Sequence, residues 1–549
     1  MGKDTNNVTS STFTTPTEAN MTSVDLNPNV TQESSQNGGI DSIKRRFSSV
    51  SMSIQKVFNV NREEGDFTLG CIKVFHTRTR FLIMVLVLLC LASVWSNILA
   101  ANFAIICMVP VKANDNVTSI SNLTEQNGGF LPISLTSNEK SLLTSAVAAS
   151  ALVSNFIVVT LIGNYGIRTI FAFMGILSAI STFAMPWAFE FGYAYILGLR
   201  ILQGIAFSCN FPVIGAFSSK WTYYKQNGLF VSVLVAYVQL SPSMTLPLSG
   251  ALCSSSYKWP SVFYVHGVYC ALLFIIFGTF YRNSPRKHPY VGDIELRKIA
   301  VGKSECSKED LKKIPYGPIL KTAAVWAVWI AAIGNFTAVN MMFLFSPNYL
   351  NGVLGFKVNK TGISAALGPI AQFLIKLFAG FTSDKVKCVS ESNKLRIYNS
   401  IAFVGSCLFL SILAFAPGEY PNVCLVLLGV SAGILGFTTG GFFKAGPLIS
   451  KHYSHFVTGN VSLGITITML IVPFMVGGLA PHNDADGWCK VFLATGSVLF
   501  ITNVCFVIMS SAEPAVWTTD EFSRNASRNK VYSTQATTRR EFAPEVTVG

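Results

Sequence analysis

The chain has 549 residues, half of them hydrophobic and only 12% charged, with a formal net charge of +14. A soluble chain of this length would divide into several cores. Here apolar stretches long enough to cross about 30 Å of hydrocarbon, roughly 20 residues each, recur throughout, and the class they indicate is an all-α polytopic membrane protein. The surplus of cations would suit nucleic acid, but it follows particular connections between the apolar stretches, so lipid and not nucleic acid is the expected partner.

Residues 1–80 are polar and rich in Ser, Thr and Asn, with no early apolar core of a signal peptide. They read as a cytoplasmic tail, largely disordered. The first span is expected over Phe81 to Met108 and carries Asn102; the loop after it holds two glycosylation sequons, at Asn116 and Asn122. The second span, Leu142 to Ile162, is followed by Gly163-Asn164-Tyr165-Gly166-Ile167-Arg168, and the third covers Ile170 to Trp187. The fourth, Tyr193 to Phe217, contains Arg200, Gln203 and Asn210. A cation within a span costs roughly 2.5 to 3.5 kcal/mol on insertion scales and usually faces a wet cavity or a partner. The planar guanidinium offers a two-pronged fork to a carboxylate or phosphate. Arg200 is therefore the candidate anchor for an anionic substrate, the alternative being a structural brace tied to helix-end carbonyls. The fifth span, Gly228 to Leu252, carries Gln239, and the sixth, Trp259 to Phe280, completes a first half over residues 81–280.

A long basic connection, residues 281–321, reads as a cytoplasmic central loop. The second half, residues 322–510, holds spans at Val325 to Leu344, Gly362 to Phe381, Ile397 to Phe415, Asn422 to Phe443, Val457 to Leu479 and Trp488 to Met509. Asn335 and Asn340 lie in the seventh span. Together with Asn102, Gln203, Asn210 and Gln239 they are candidate hydrogen-bonding groups for substrate, although such amides also join helices to one another. Lys376 stands eight residues before Asp384 and is expected to snorkel to the membrane surface, a second contact to substrate being the alternative reading. Residues 511–549 form a second cytoplasmic tail. The twelve cysteines are scattered, with neither metal spacing nor a disulfide framework. Phosphate loops, zinc clusters and nucleophile elbows are missing too, so neither an enzyme nor a bound cofactor or metal is expected.

Of the 41 lysines and arginines, one side of the predicted topology holds only Lys112, Lys140, Lys258, Lys357, Lys360 and Lys490, while Arg200 and Lys376 lie within spans. All the others fall on the opposite side, which the positive-inside rule makes cytoplasmic together with both termini. No predicted span contains Asp or Glu. A buried carboxylate that takes up and releases a proton is thus missing and proton coupling is not expected, while sodium coupling through carbonyls, amides and hydroxyls stays open.

Two sets of six spans around a basic loop resemble the major facilitator superfamily. Gly380-Phe381-Thr382-Ser383-Asp384-Lys385 is similar to that superfamily's short loop motif, in which an acid and a base form a breakable latch, and Arg168 closes a weaker copy with Asn164 at the acidic position. Arg200, Gly204 and Pro212, then Pro247-Leu248-Ser249-Gly250, Trp259-Pro260-Ser261-Val262-Phe263-Tyr264, His288-Pro289 and Glu295 resemble the anion/sodium-phosphate cotransporter family. The chain departs from that pattern in carrying Phe207 where the family has a Glu seven residues after the Arg, and Ala100 where it has an Arg before the Asn of the first helix. The resemblance implies a divergent secondary transporter of a small organic anion or phosphate, working by alternating access as a monomer in the plasma membrane or a vesicular or lysosomal membrane. A transport-inactive receptor or scaffold and a carrier of a neutral solute are the alternatives that the missing charges leave.

Overall fold

The computed structural model describes residues 78–108, 124–130, 134–223, 226–300, 315–386, 388–416 and 418–518. The sequons at Asn116 and Asn122 and most of both tails lie outside these residues. The described part is helical, without strands, as a chain in hydrocarbon requires, because only internally bonded helices or closed barrels leave no main-chain polar group unpaired there.

Twelve spans run α1 Thr79–Cys107, α2 Ser137–Tyr165, α3 Ile167–Phe183 with Met185–Phe191, α4 Tyr193–Trp221, α5 Leu229–Ser254, α6 Pro260–Phe280, α7 Ala323–Gly352, α8 Val358–Ser383, α9 Glu391–Ala414, α10 Pro421–Ser450, α11 Phe456–Leu479 and α12 Ala485–Met509. Each contains the apolar run predicted for it or misses one end of that run by a single residue, as at Met108, Gly228, Trp259 and Phe415, and most add a polar turn at one end. The acids absent from the apolar runs appear in those terminal turns, as Glu139, Glu190, Glu391 and Asp486.

Several spans are broken where their sequences favour it. The two parts of α3 meet at 49°, with Pro186 in the first turn of the second part. The turn at Ser208 and Cys209 interrupts α4 just before Pro212. A π-helical stretch, Met341–Phe345, precedes Pro347 in α7.

The helix pairings repeat with an offset of six. The pairs α1·α5, α1·α6, α2·α4 and α3·α6 recur as α7·α11, α7·α12, α8·α10 and α9·α12. Between the halves, α2 packs on α11 and α5 on α8, and the same offset exchanges these two contacts, as expected for repeats related by a twofold axis along the membrane normal.

Cys107 at the end of α1 is disulfide-bonded to Cys253 near the end of α5, with Cα atoms 6.1 Å apart. This corrects the expectation of unpaired cysteines. The partners are 146 residues apart in sequence and meet only because their helices end side by side on one face of the bundle. That face is called the disulfide face below, and the opposite one, which carries residues 281–300 and 315–321, the central-loop face.

The halves are stitched together toward the disulfide face. The hydroxyls of Ser137, Ser141 and Ser145 on α2 donate to the carbonyls of Gly477, Pro473 and Leu470 on α11, at 3.4, 2.9 and 3.0 Å. On the twofold-related contact Gly250 of α5 lies against Gly362 of α8, where a Cβ on either residue would crowd main-chain atoms of the other helix. Toward the central-loop ends of α2 and α11 no such crowding occurs at Gly163 or Gly459, where a Cβ would meet nothing within 4 Å.

On the central-loop face, a loop helix over Asp293–Ala300 brings buried Glu295 beneath the start of α1. Its carboxylate accepts the N–H groups of Thr79 and Arg80 at 3.2 and 3.0 Å, capping that helix with a negative charge where the helix dipole favours one. His288 is buried among Trp221, Phe280 and Tyr290. Burial, with a contribution from the Arg282 charge, pushes its pKa below the usual imidazole value.

Candidate functional site

Arg200 lies two turns into α4 from the disulfide face and is only 2% exposed. Gly204, one turn later, has the Val147 carbonyl and the Ser150 hydroxyl where a side chain would sit, so α4 can approach α2 closely. The guanidinium then reaches three helices. Nε donates to the Leu143 carbonyl of α2 at 3.2 Å and Nη1 to the Ile98 carbonyl of α1 at 3.2 Å. Nη1 also donates to Oε1 of Gln203 at 2.9 Å, and Nη2 to Oδ1 of Asn102 at 3.0 Å. Gln203 continues to the Thr182 hydroxyl of α3 at 2.9 Å, and Thr144 donates to the same Asn102 oxygen at 3.2 Å. Four of the five guanidinium donors are thus engaged by protein. Arg200 is tied to carbonyls inside α1 and α2 and to two side-chain amides, and not to the helix-end carbonyls weighed as its alternative partners. Phe207, where the resemblance leads one to look for a carboxylate, is buried against Trp95 with ring centroids 5.1 Å apart.

Lys376 does not snorkel outward. Its ammonium lies 5.3 Å from the centroid of the Phe443 ring of α10, and it lines a small cavity with Gln239, Asn335, Phe336, Gln372 and Thr438. Gln239 belongs to the first half and the others to the second. The amide of Gln239 donates to Oε1 of Gln372 at 3.3 Å, a bond from half to half near the middle of the bundle. Among the described residues Lys376 has no ion pair or hydrogen bond, and the buried oxygens Oε1 of Gln239 and Oδ1 of Asn335 have no donor.

The remaining amides are dispersed. Asn340 donates to the Ile465 carbonyl and the Thr468 hydroxyl of α11, at 3.2 and 2.9 Å, and so joins two helices. Asn210 is buried in α4 beside Tyr237 of α5. Asn102 also faces a cavity of about 250 Å³ on the disulfide face, lined from both halves by Lys140, Thr144, Asn348, Asn351 and Asn483. The candidates therefore separate into a brace around Arg200, a cradle around Lys376, a helix tie at Asn340, and Asn210, whose side chain has no hydrogen-bond partner among the described residues.

Residues 80–448 match the Major Facilitator Superfamily. The chain belongs to that superfamily. It is 27% identical to sialin of Homo sapiens over 350 residues, covering 62% of this chain and 69% of sialin. It is 24% identical to sodium-dependent phosphate transport protein 1 of Homo sapiens over 360 residues, covering 65% of this chain and 76% of that protein. In architecture it is similar to the crystal structure of a bacterial homolog to the human lysosomal transporter Spinster in an inward-facing and occupied conformation. That likeness has a TM-score of 0.56 at 13% identity and covers 77% of this chain and 96% of the other. A superfamily transporter, not an enzyme, is what these matches describe, and the relatives are those of the anion/sodium-phosphate cotransporter family that the motifs resemble.

Within this superfamily frame, the loop-motif residues divide by half. Arg168 donates from Nε to the Gly278 carbonyl at 2.8 Å, and its main-chain N–H to Asn283 Oδ1 at 2.9 Å, so in the first half it ties α3 to the end of α6. Gly380 faces Thr439 at the α8–α10 contact, and the Lys385 ammonium lies 4.2 Å from the Phe381 ring centroid. The Asp384 side chain lies outside the described atoms. An ion-pair cluster missed in the sequence stands close by: Glu391 accepts a hydrogen bond from Lys394 at 2.7 Å and pairs with the Lys444 ammonium at 3.8 Å, and Lys444 also donates to the Ser383 hydroxyl at 3.2 Å. The signal was present as charges at the starts and ends of α8, α9 and α10, but not which helices adjoin.

Proposed function

We propose that this superfamily member carries a small organic anion or phosphate across its membrane by alternating access. The observation that carries the reading is that the two cations furthest from the ends of the spans, Arg200 and Lys376, have no carboxylate partner among the described residues. An interior with unneutralised positive charge attracts anions and repels cations. The names of the relatives, sialin and a sodium-dependent phosphate transport protein, support the same substrate class. Coupling to sodium or exchange of one anion for another suits this chain better than proton symport, since the described acids of the spans sit in terminal turns.

The central-loop face is the cytoplasmic one in this reading. The positive-inside distribution favours it, and so does the disulfide, because such bonds persist in oxidising compartments and not in the cytosol. Asn116 and Asn122 then lie on the glycosylated side, and a vesicular or lysosomal membrane or the cell surface is the site of action of a monomer. The halves, closed toward the disulfide face, correspond to a carrier facing the cytoplasm. The test is uptake of radiolabelled organic anions and phosphate into proteoliposomes, with and without sodium or proton gradients. Saturable anion uptake is the expected result. Uptake of neutral solutes alone, or none at all above empty vesicles, would overturn the reading.

A further inference from the structure

We infer that Lys376, and not Arg200, is the residue that meets the anion, in a cradle completed by Gln239 and Asn335; the inference rests on the anion-transport reading above. An anion seeking the Arg200 guanidinium finds one N–H of Nη2 unused and would have to compete with the Ile98 and Leu143 carbonyls and the Asn102 and Gln203 side chains for the other four. Each such exchange trades one charge-assisted hydrogen bond for another, and displacing Gln203 leaves its buried Oε1 without a donor, so little is gained at Arg200.

The Lys376 cradle has the opposite character. Among the described residues it holds a cation without a counter-charge, steadied by the Phe443 ring, and shares its cavity with two buried amide oxygens without donors. Proteins rarely leave such groups unmatched inside a span. The ligand that complements them has an anionic head for the ammonium and, within a few bonds, hydroxyl or ammonium donors for the two oxygens. A hydroxylated carboxylate fits that description better than inorganic phosphate at neutral pH. The position fits as well, since Gln239 comes from one half and Asn335 and Lys376 from the other. The cavity now measures about 10 Å³, room for one water. Admitting a ligand therefore requires the Gln239–Gln372 bond to open, which links occupancy to the relative position of the halves.

The experiment measures uptake and binding of gluconate and phosphate by reconstituted wild type, Lys376→Gln, Lys376→Arg and Gln239→Leu, each first checked for monodispersity and melting temperature in detergent. Expected are a loss of at least tenfold in kcat/KM for gluconate in Lys376→Gln and partial recovery in Lys376→Arg. In Gln239→Leu, KM should rise more for gluconate than for phosphate. A folded Lys376→Gln variant with wild-type KM overturns the assignment while leaving anion transport intact. If wild type moves neither anion but gluconate raises its melting temperature and not that of Lys376→Gln, the cradle stands and the transport reading fails. No thermal shift and no uptake in any protein rejects both.

Discussion

Replacing Arg200 with alanine should remove four hydrogen bonds that join three helices in the core of the first half and leave Oε1 of Gln203 without a donor. The expected loss is on the order of 3 kcal/mol, seen as a lower melting temperature in detergent. Arg200→Lys should recover little of it, because an ammonium donates from one point and cannot reach acceptors on three helices at once. Unchanged melting with abolished anion binding would instead make Arg200 a direct contact. That a cation stood inside the fourth span was legible from the apolar residues around it. Its role was not, because two of its partners are main-chain carbonyls, which every residue possesses. Lys376 was misread for a different reason. Counting residues to the helix end measured its depth, whereas the side of α8 from which it projects, toward Phe443 and the other half, decided what it meets. Phe207 was legible as a missing carboxylate, but not as half of an aromatic pair with Trp95.

At the scale of elements, all twelve spans were recoverable because hydrocarbon imposes a length and a polarity that few other environments impose. Their polar end turns were not, since Val358 to Thr361 or Glu391 to Arg396 carries no apolar signal. The close crossing of α5 and α8 depended on Gly250 meeting Gly362, a match between residues more than a hundred positions apart. Gly362→Val should hold these helices apart and disfavour closure at the disulfide face. With Ser141→Cys as a reporter on the neighbouring α2–α11 contact, an impermeant maleimide added from the disulfide face should label the double variant faster than the reporter alone. Equal labelling rates would show that this crossing does not control closure.

For the whole molecule, the offset-by-six pairing makes each half a unit, and the Cys107–Cys253 bond lies wholly within the first. Cys107→Ser should therefore lower the melting temperature, by a stability equivalent of about 2–4 kcal/mol, while turnover in proteoliposomes is retained, because the bond does not span the moving interface. Lost turnover with unchanged melting would place the bond in the transport cycle. The twofold layout was legible from two sets of six spans, the bond was not, and the face that is shut was invisible in sequence because it depends on where one half stands against the other. The serines at positions 137, 141 and 145 give that closure a size. They stand one helical turn apart, and on separation each exchanges a carbonyl for water, so each bond adds only about 1 kcal/mol net. Three together favour the shut arrangement by a ratio on the order of a hundred, small enough for a solute with a comparable preference for the other arrangement to level the two populations.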